Sequence, residues 1–225
     1  MTLRIAVLAS GRGSNLRAIL DAIAAGTLDA RVVGVFSDRA TAPVLQIAQD
    51  AGVESRAFDP KEMPTRRRFD EAMFTSVDAV QPDLIVMAGY MRLVSDAAVS
   101  SRTGRMINIH PSLLPLFKGL HTHRQALHAR VAVHGASVHV LIPALDAGPV
   151  IAQARVAVHA EDTAESLAGR VLAREHPLMI ETLRLFACGR VAWRDGAVHF
   201  DGLALPAPLQ LGDDDRLDTS RGMSR

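Results

Sequence analysis

Leu3-Arg4-Ile5-Ala6-Val7-Leu8-Ala9-Ser10-Gly11-Arg12-Gly13-Ser14-Asn15-Leu16 decides how the chain is read. Its first half is a short apolar run, the mark of a buried strand in a parallel sheet. Its second half is a glycine turn. Beyond it Leu16, Ile19, Leu20 and Ile23 recur at helical spacing, and Gly26 closes that helix. The turn exposes backbone N–H groups at the positive end of a helix, a setting that suits a phosphate. Ser14 can donate a further bond and cap the helix. A dinucleotide fits the same turn, and Asp38 at the end of the next strand supports that reading. However, Leu16 stands where the third glycine of the dinucleotide pattern belongs, so a single phosphate fits better. The stretch alone also fits a plain tight turn with a serine cap.

The pattern then repeats. Residues 31–36 read as a strand, 42–51 as a helix, 53–58 as a weaker strand and 65–80 as a helix with Phe69, Met73 and Val77 on one side. Residues 83–89 form a fourth strand, apolar at its centre. This alternation predicts an α/β fold: a Rossmann-like, largely parallel sheet with right-handed crossovers and helices on both faces, in a single domain. Ligands of such sheets bind beyond the carboxyl ends of the strands. The loops at 11–15, 89–94 and 110–120 are therefore expected along one edge. Further on, the chain reads as a helix at 122–130, strands at 135–142 and 150–158, and a long helix at 163–186. Pro177 should kink that helix or break its first hydrogen bonds. A hairpin is expected at 191–200 around Asp195-Gly196. The domain is expected to span 1–205, with halves of about 1–105 and 106–205. Residues 206–225 are polar and carry Asp213-Asp214-Asp215, which reads as a disordered tail.

The chemistry centres on Asn108-Ile109-His110-Pro111-Ser112-Leu113-Leu114-Pro115. Asn108 and His110 alternate with apolar residues, so an extended chain points both to one face. Pro111 biases His110 away from helix. Asn supplies a neutral donor and His a proton near neutral pH. An ordinary strand end with a polar pair fits as well. Asp146, in a turn before Gly148-Pro149, could approach His110, stabilise its imidazolium and raise its pKa. Serving its own turn is the commoner role for such an Asp. Ser137 and His139 are candidate supports for these groups, or simply satisfied hydrogen-bonders. Arg66-Arg67-Arg68 reads as a solvated helix face from which one Arg could bind a carboxylate. His121 and His123 lack partners at metal-ligand spacing, so no metal is expected.

Composition narrows the classes. The 225 residues carry 25 basic and 24 acidic side chains, net +1, which makes no case for nucleic acid or a membrane surface. The one cysteine, Cys188, excludes an internal disulfide, fits a reducing compartment and reads as a packed thiol. No apolar run approaches the roughly 18 residues of a membrane span. The first residues lack a leader pattern, so a cytoplasmic location is expected.

Six motifs occur in order: G-R-G-S-N-L at 11–16, A-G-Y-M-R-L-V at 88–94, N-I-H-P-S-L-L-P at 108–115, G-L-H-T-H-R-Q-A-L at 119–127, H-G-A-S-V-H at 134–139 and L-D-A-G-P-V-I at 145–151. Together they resemble the phosphoribosylglycinamide formyltransferase family, folate-dependent enzymes of purine synthesis. The likeness runs from about residue 3 to residue 200. It implies transfer of a formyl group from the co-substrate 10-formyltetrahydrofolate to the amine of glycinamide ribonucleotide, without a metal, by a monomer or homodimer. It makes Asn108, His110 and Asp146 the catalytic trio. Gly13, Ser14 and Asn15 would hold the substrate phosphate, and Glu175 would contact the ribonucleotide. Arg66, Met91, Arg92, Leu93, Val94 and Asn108 would bind folate. The N-terminal half would then bind phosphate, and the second half would carry catalysis and folate. Pro143, Ala144 and Ala147 depart from the family's usual loop and bear on its folate contacts. A formyltetrahydrofolate deformylase would share the trio but use water as acceptor, and is expected to carry a regulatory domain ahead of the first strand. A methionyl-tRNA formyltransferase would want an added C-terminal domain and a basic surface. A non-catalytic nucleotide-binding module would not need the intact trio.

Overall fold

The computed structural model describes residues 2–220. In chain order the main elements are β1 (Leu3–Leu8), α1 (Ser14–Ala24), β2 (Ala30–Ser37), α2 (Pro43–Asp50), β3 (Ser55–Ala57), α3 (Arg66–Ala79), β4 (Leu84–Ala88), α4 (Asp96–Ser100) and β5 (Met106–His110). They continue with α5 (Thr122–His128), β6 (Val133–Val140), β7 (Val150–Ala157), α6 (Ala164–Ala187), β8 (Val191–Arg194), β9 (Ala197–Phe200), β10 (Leu203–Ala204), β11 (Leu209–Leu211) and β12 (Leu217–Asp218). The strand order is β12-β11-β7-β6-β5-β4-β1-β2-β3 in one sheet and β10-β9-β8 in a small second one. β1 runs parallel to β2 and β4, while β6 and β7 are antiparallel. The fold is α/β with a mixed, mostly parallel sheet.

The backbone divides into two compact units: residues up to Asn108 with Leu141–Pro143, and Ile109–Val140 with the residues from Ala144 onward. In the first, β1 is apolar because it is covered on both faces; Ile5, Ala6, Val7 and Leu8 are fully buried. α3 lays Phe69, Met73, Phe74 and Val77 onto a core with Leu8, Phe36, Ile85 and Met106. Phe58 meets Phe69 edge to face at 6.5 Å. Each such large apolar side chain contributes about 1.5–3 kcal/mol by leaving water.

In the second unit α6 packs on β6 and β7 and buries Leu167, Val171, Leu178, Met179 and Leu183. Thr163 and Ser166 form a reciprocal cap at its start. The helix continues through Pro177, which has no N–H to give to its ladder. Asp195 and Gly196 both have positive φ, 51° and 78°, as a two-residue hairpin turn between β8 and β9 requires. At Gly135 of β6 an added Cβ would lie 1.9 Å from the Ala154 carbonyl oxygen, so only glycine fits.

The expected disordered tail is corrected for residues 206–220; residues 221–225 lie outside the described range. β11 joins β7 in parallel, Leu209 opposite Ala152 and Gln210 opposite Gln153, and β12 pairs with β11. Polar composition hid three leucines, 209, 211 and 217, that are each buried. Arg174 binds the Gly212 carbonyl at 2.6 Å and the Asp215 carboxylate, and Glu181 accepts from Arg216 at 3.0 Å. Cys188 is also corrected. It ends α6 exposed, its thiol donating to the Arg184 carbonyl at 2.9 Å.

Candidate active site

The turn after β1 is made by glycine. Gly13 has φ 78° and caps α1, where an added Cβ would sit 2.8 Å from Val44 Cγ2. Ser14 is the first helical residue, and no side chain caps the helix, so the serine cap foreseen from sequence is absent. That leaves the Ser14 hydroxyl outside the capping role, beside first-turn N–H groups that have no acceptor within the helix. Asn15 is buried. Ser10 ties this turn to the loop after β4: its N–H donates to Gly89 O at 3.0 Å, and its Oγ accepts from Met91 N at 2.9 Å. Asp38, at the end of β2, is buried with no hydrogen-bond partner on Oδ1.

The loop after β4 is braced by α3. Arg66 donates to the Val94 carbonyl at 2.6 Å, and Asp70 accepts from Ser95 N at 2.7 Å. The Arg92 guanidinium stacks over the Phe69 ring at 4.8 Å. Met91 and Leu93 are more than half exposed, an apolar pair with no core to cover them. Arg66, Met91, Arg92, Leu93 and Val94 thus share one patch. Arg67 and Arg68 both turn to Glu71 instead. Tyr90, whose hydroxyl reaches the Met73 sulfur at 3.4 Å, has its pKa raised by burial and then by the charges of Asp38 and Asp70.

β5 delivers Asn108, half-buried, and His110, buried. His110 Nδ1 lies 3.5 Å from Asp146 Oδ2, and its Nε2 lies 3.0 Å from the Phe117 carbonyl oxygen. Both ring nitrogens therefore face acceptors, an arrangement that a doubly protonated ring satisfies. Asp146 has φ 44°, and its Oδ2 also accepts from Gly119 N at 2.8 Å. Its other oxygen faces His139 Nε2 at 3.7 Å. His139 Nδ1 lies 3.1 Å from the Val140 carbonyl, which places the ring proton on Nδ1. Burial pushes His139 down to about 4, against the upward pull of Asp146. His139 therefore stays neutral near pH 7 and does not compete for the carboxylate's charge.

A buried polar network holds the backbone after His110. Ser137 Oγ donates to Ser112 O at 2.7 Å and accepts from Leu114 N at 3.0 Å. Gln153 Nε2 donates to Leu114 O at 2.9 Å, and Thr122 Oγ1 to Pro111 O at 2.7 Å. Sequence reasoning pointed to Ser137 and His139 but missed Gln153, Thr122, the Phe117 carbonyl and the Gly119 amide. Gln153 carries a weak signal, as a polar residue within an apolar run; Thr122, between two histidines, and the backbone groups carry none. Glu175 lies on the buried face of α6. His121 is exposed at the start of α5, whereas His123 turns to His134, Nδ1 to Nε2 at 3.2 Å. Among the described residues no group of three His, Cys, Asp or Glu is placed to hold a metal ion. None of their helices is long and apolar enough to cross a membrane.

A strand ending in Asn-x-His, with a carboxylate against the imidazole, can polarise a carbonyl and pass a proton. Residues 3–183 match the family model described as formyl transferase. The chain belongs to the formyl transferase family. As a formyl transferase it is 42% identical over 204 residues to phosphoribosylglycinamide formyltransferase of Escherichia coli (strain K12), covering 91% of this chain and 96% of that protein. It is 39% identical over 188 residues to the trifunctional purine biosynthetic protein adenosine-3 of Homo sapiens, covering 84% of this chain but 19% of that one. Among solved structures, the phosphoribosylglycinamide formyltransferase of Coxiella burnetii superposes with a TM-score of 0.88 at 44% identity, covering 92% of this chain and 99% of the other. Glycinamide ribonucleotide transformylase 1 of Symbiobacterium toebii gives 0.85 at 45% identity, covering 88% and 94%.

Proposed function

We propose that this formyl transferase moves the formyl group of 10-formyltetrahydrofolate to the amino group of glycinamide ribonucleotide, giving formylglycinamide ribonucleotide and tetrahydrofolate in purine synthesis. The observation that carries the reading is the His110–Asp146 pair at the end of β5, in a chain that shares 42% identity with a named enzyme of that activity. Gly13, Ser14 and Asn15 take the ribonucleotide phosphate on glycine-turn N–H groups, and Glu175 contacts the ribonucleotide. Arg66 and the Met91–Val94 loop take the folate. Their exposed methionine and leucine beside two guanidinium groups suit a flat ring with an anionic tail. Residues 1–105 thus carry the phosphate turn and the Arg66 and Met91–Val94 folate contacts, and 106–205 carry Asn108, His110, Asp146 and Glu175. The enzyme works in the cytoplasm as a monomer or homodimer.

The uncharged amine attacks the formyl carbon, and negative charge develops on the formyl oxygen. Asn108 and protonated His110 stabilise that charge; removing a donor of this kind costs about 100–1000-fold in turnover. The attacking nitrogen gives up a proton and the departing folate nitrogen gains one, relayed by His110 directly or through water, so that His110 ends in its starting state. Asp146, facing His110 Nδ1, orients the imidazole. No covalent intermediate with the protein is required. The test is an assay of purified protein with 10-formyltetrahydrofolate, glycinamide ribonucleotide present or omitted. Formyl transfer that depends on the acceptor is expected. Folate deformylation that ignores the acceptor would instead select a hydrolase.

A further inference from the structure

The proposed reaction needs a His110 N–H aimed at the formyl oxygen. Imidazole has two nitrogens. Asp146 faces Nδ1, and the Phe117 carbonyl occupies Nε2 at 3.0 Å. A peptide carbonyl and a formamide carbonyl are the same kind of acceptor. Phe117 thus holds the donor that the formyl oxygen must receive.

Phe117 does not sit there by backbone preference. Its φ is 53°, a left-handed conformation that bulky residues avoid. Side chains hold it. Its ring meets the buried His134 ring edge to face at 5.8 Å. His134 is in turn bonded to His123 of α5, with the two rings nearly perpendicular at 5.2 Å. Burial pushes His134 down to about 4, the charges of His123 and His110 push the same way, and the Pro111 carbonyl pulls weakly upward. His123 is also lowered by burial. Near neutral pH the pair is uncharged, one ring donating and the other accepting.

We infer that His134 is a positioning residue for His110, acting through Phe117: the His123–His134 pair seats the Phe117 ring, and the Phe117 carbonyl holds the His110 Nε2 until the formyl oxygen replaces it. The inference rests on His110 being the donor to the formyl oxygen. Its consequence is thermodynamic. Formyl-folate binds only the molecules whose Phe117 carbonyl has withdrawn, so its apparent Kd is the intrinsic value divided by that fraction. Weakening the seat raises the fraction.

The experiment measures the Kd of 10-formyltetrahydrofolate by calorimetry, without acceptor, for wild type, Phe117→Ala and His134→Gln, with thermal unfolding to check each fold. Binding about three- to tenfold tighter in both variants is expected, with glycinamide ribonucleotide affinity unchanged. Equal or weaker folate binding in folded variants overturns the inference, because a merely structural role never tightens a ligand. Nitrogen NMR of histidine-labelled wild type adds a readout that needs no variant. The His110 Nε2 signal moves when formyl-folate is added; an unmoved signal overturns the inference. His110→Ala separates the two layers. If it keeps wild-type turnover, the reading of His110 fails. If it is inactive but the Phe117 and His134 variants bind folate no tighter, the inference alone fails.

Discussion

The turn at 11–15 and the segment at 116–121 both place backbone in left-handed conformations, the first at a glycine alone and the second at two bulky residues on either side of Gly119, itself at φ 77°. In the turn the left-handed residue is Gly13, for which that conformation carries no Cβ clash. The packing of Val44 against it then leaves no room for a side chain. In the later segment Phe117 and His121 are left-handed without being glycine, at φ 53° and 59°. Phe117 is held by its ring contact with the His123–His134 pair and by its carbonyl against His110, and Gly119 by its bond to Asp146. A conformation written into the backbone is permanent. One held by side chains is conditional, and its partners here, His110 and Asp146, are the groups proposed to carry the reaction.

Four outcomes would sharpen or break this contrast. The largest concerns the conditional segment. Asp146→Asn removes the charge that faces His110 and is expected to lower kcat about 1000-fold, with little change in glycinamide ribonucleotide binding. Steady-state kinetics decide it, and wild-type turnover would contradict the role. Next comes pH. His134 and His139 have pKa values near 4 when folded, below the ordinary 6.5. The unfolded chain therefore binds more protons between those values, so stability is full above about pH 6.5 and falls as pH drops toward 4. Urea titration should show a loss of about 2–4 kcal/mol between pH 7 and pH 5; an unchanged midpoint would mean the rings are not buried neutral.

The permanent turn should respond in binding alone. Asn15→Ala is expected to raise the KM for glycinamide ribonucleotide about tenfold, the effect of losing one hydrogen bond to a charged group, and to leave folate untouched. Equal weakening of both would remove the phosphate assignment. The smallest effect is Ser14→Ala. With no cap to lose, the thermal midpoint should move by less than a caps-removal change of about 1 kcal/mol would cause. Thr163→Ala, which breaks the reciprocal cap of α6, supplies the comparison in the same assay.

The contrast also marks what the sequence could disclose. The β-α alternation up to β5 was legible because β1, β2 and β4 are apolar runs, α1 and α2 stop at Gly26 and Gly52, and α3 carries its own apolar period. Ser14 was misread as a cap because capping depends on which residue turns helical first. β11 and β12 were missed because leucines at 209, 211 and 217 are too few and too scattered among charges to show a period. At the site, Asn108, His110 and Asp146 could be named as candidates from their residue types. Phe117 and Gly119 could not, because what they contribute is a carbonyl and an amide that every residue possesses. Only the tertiary path of the chain selects them.

The late strand β11 has one further consequence. It covers the edge of β7 along Ala152 and Gln153, where the backbone would otherwise present open donors and acceptors. Leu209, Leu211 and Leu217 leave water in the same step. A chain cut after residue 205 would keep His110 and Asp146 but gain a bare sheet margin beside fresh apolar surface. Its first defect would be self-association through that margin, so the polar-looking end of this sequence helps to keep the molecules apart.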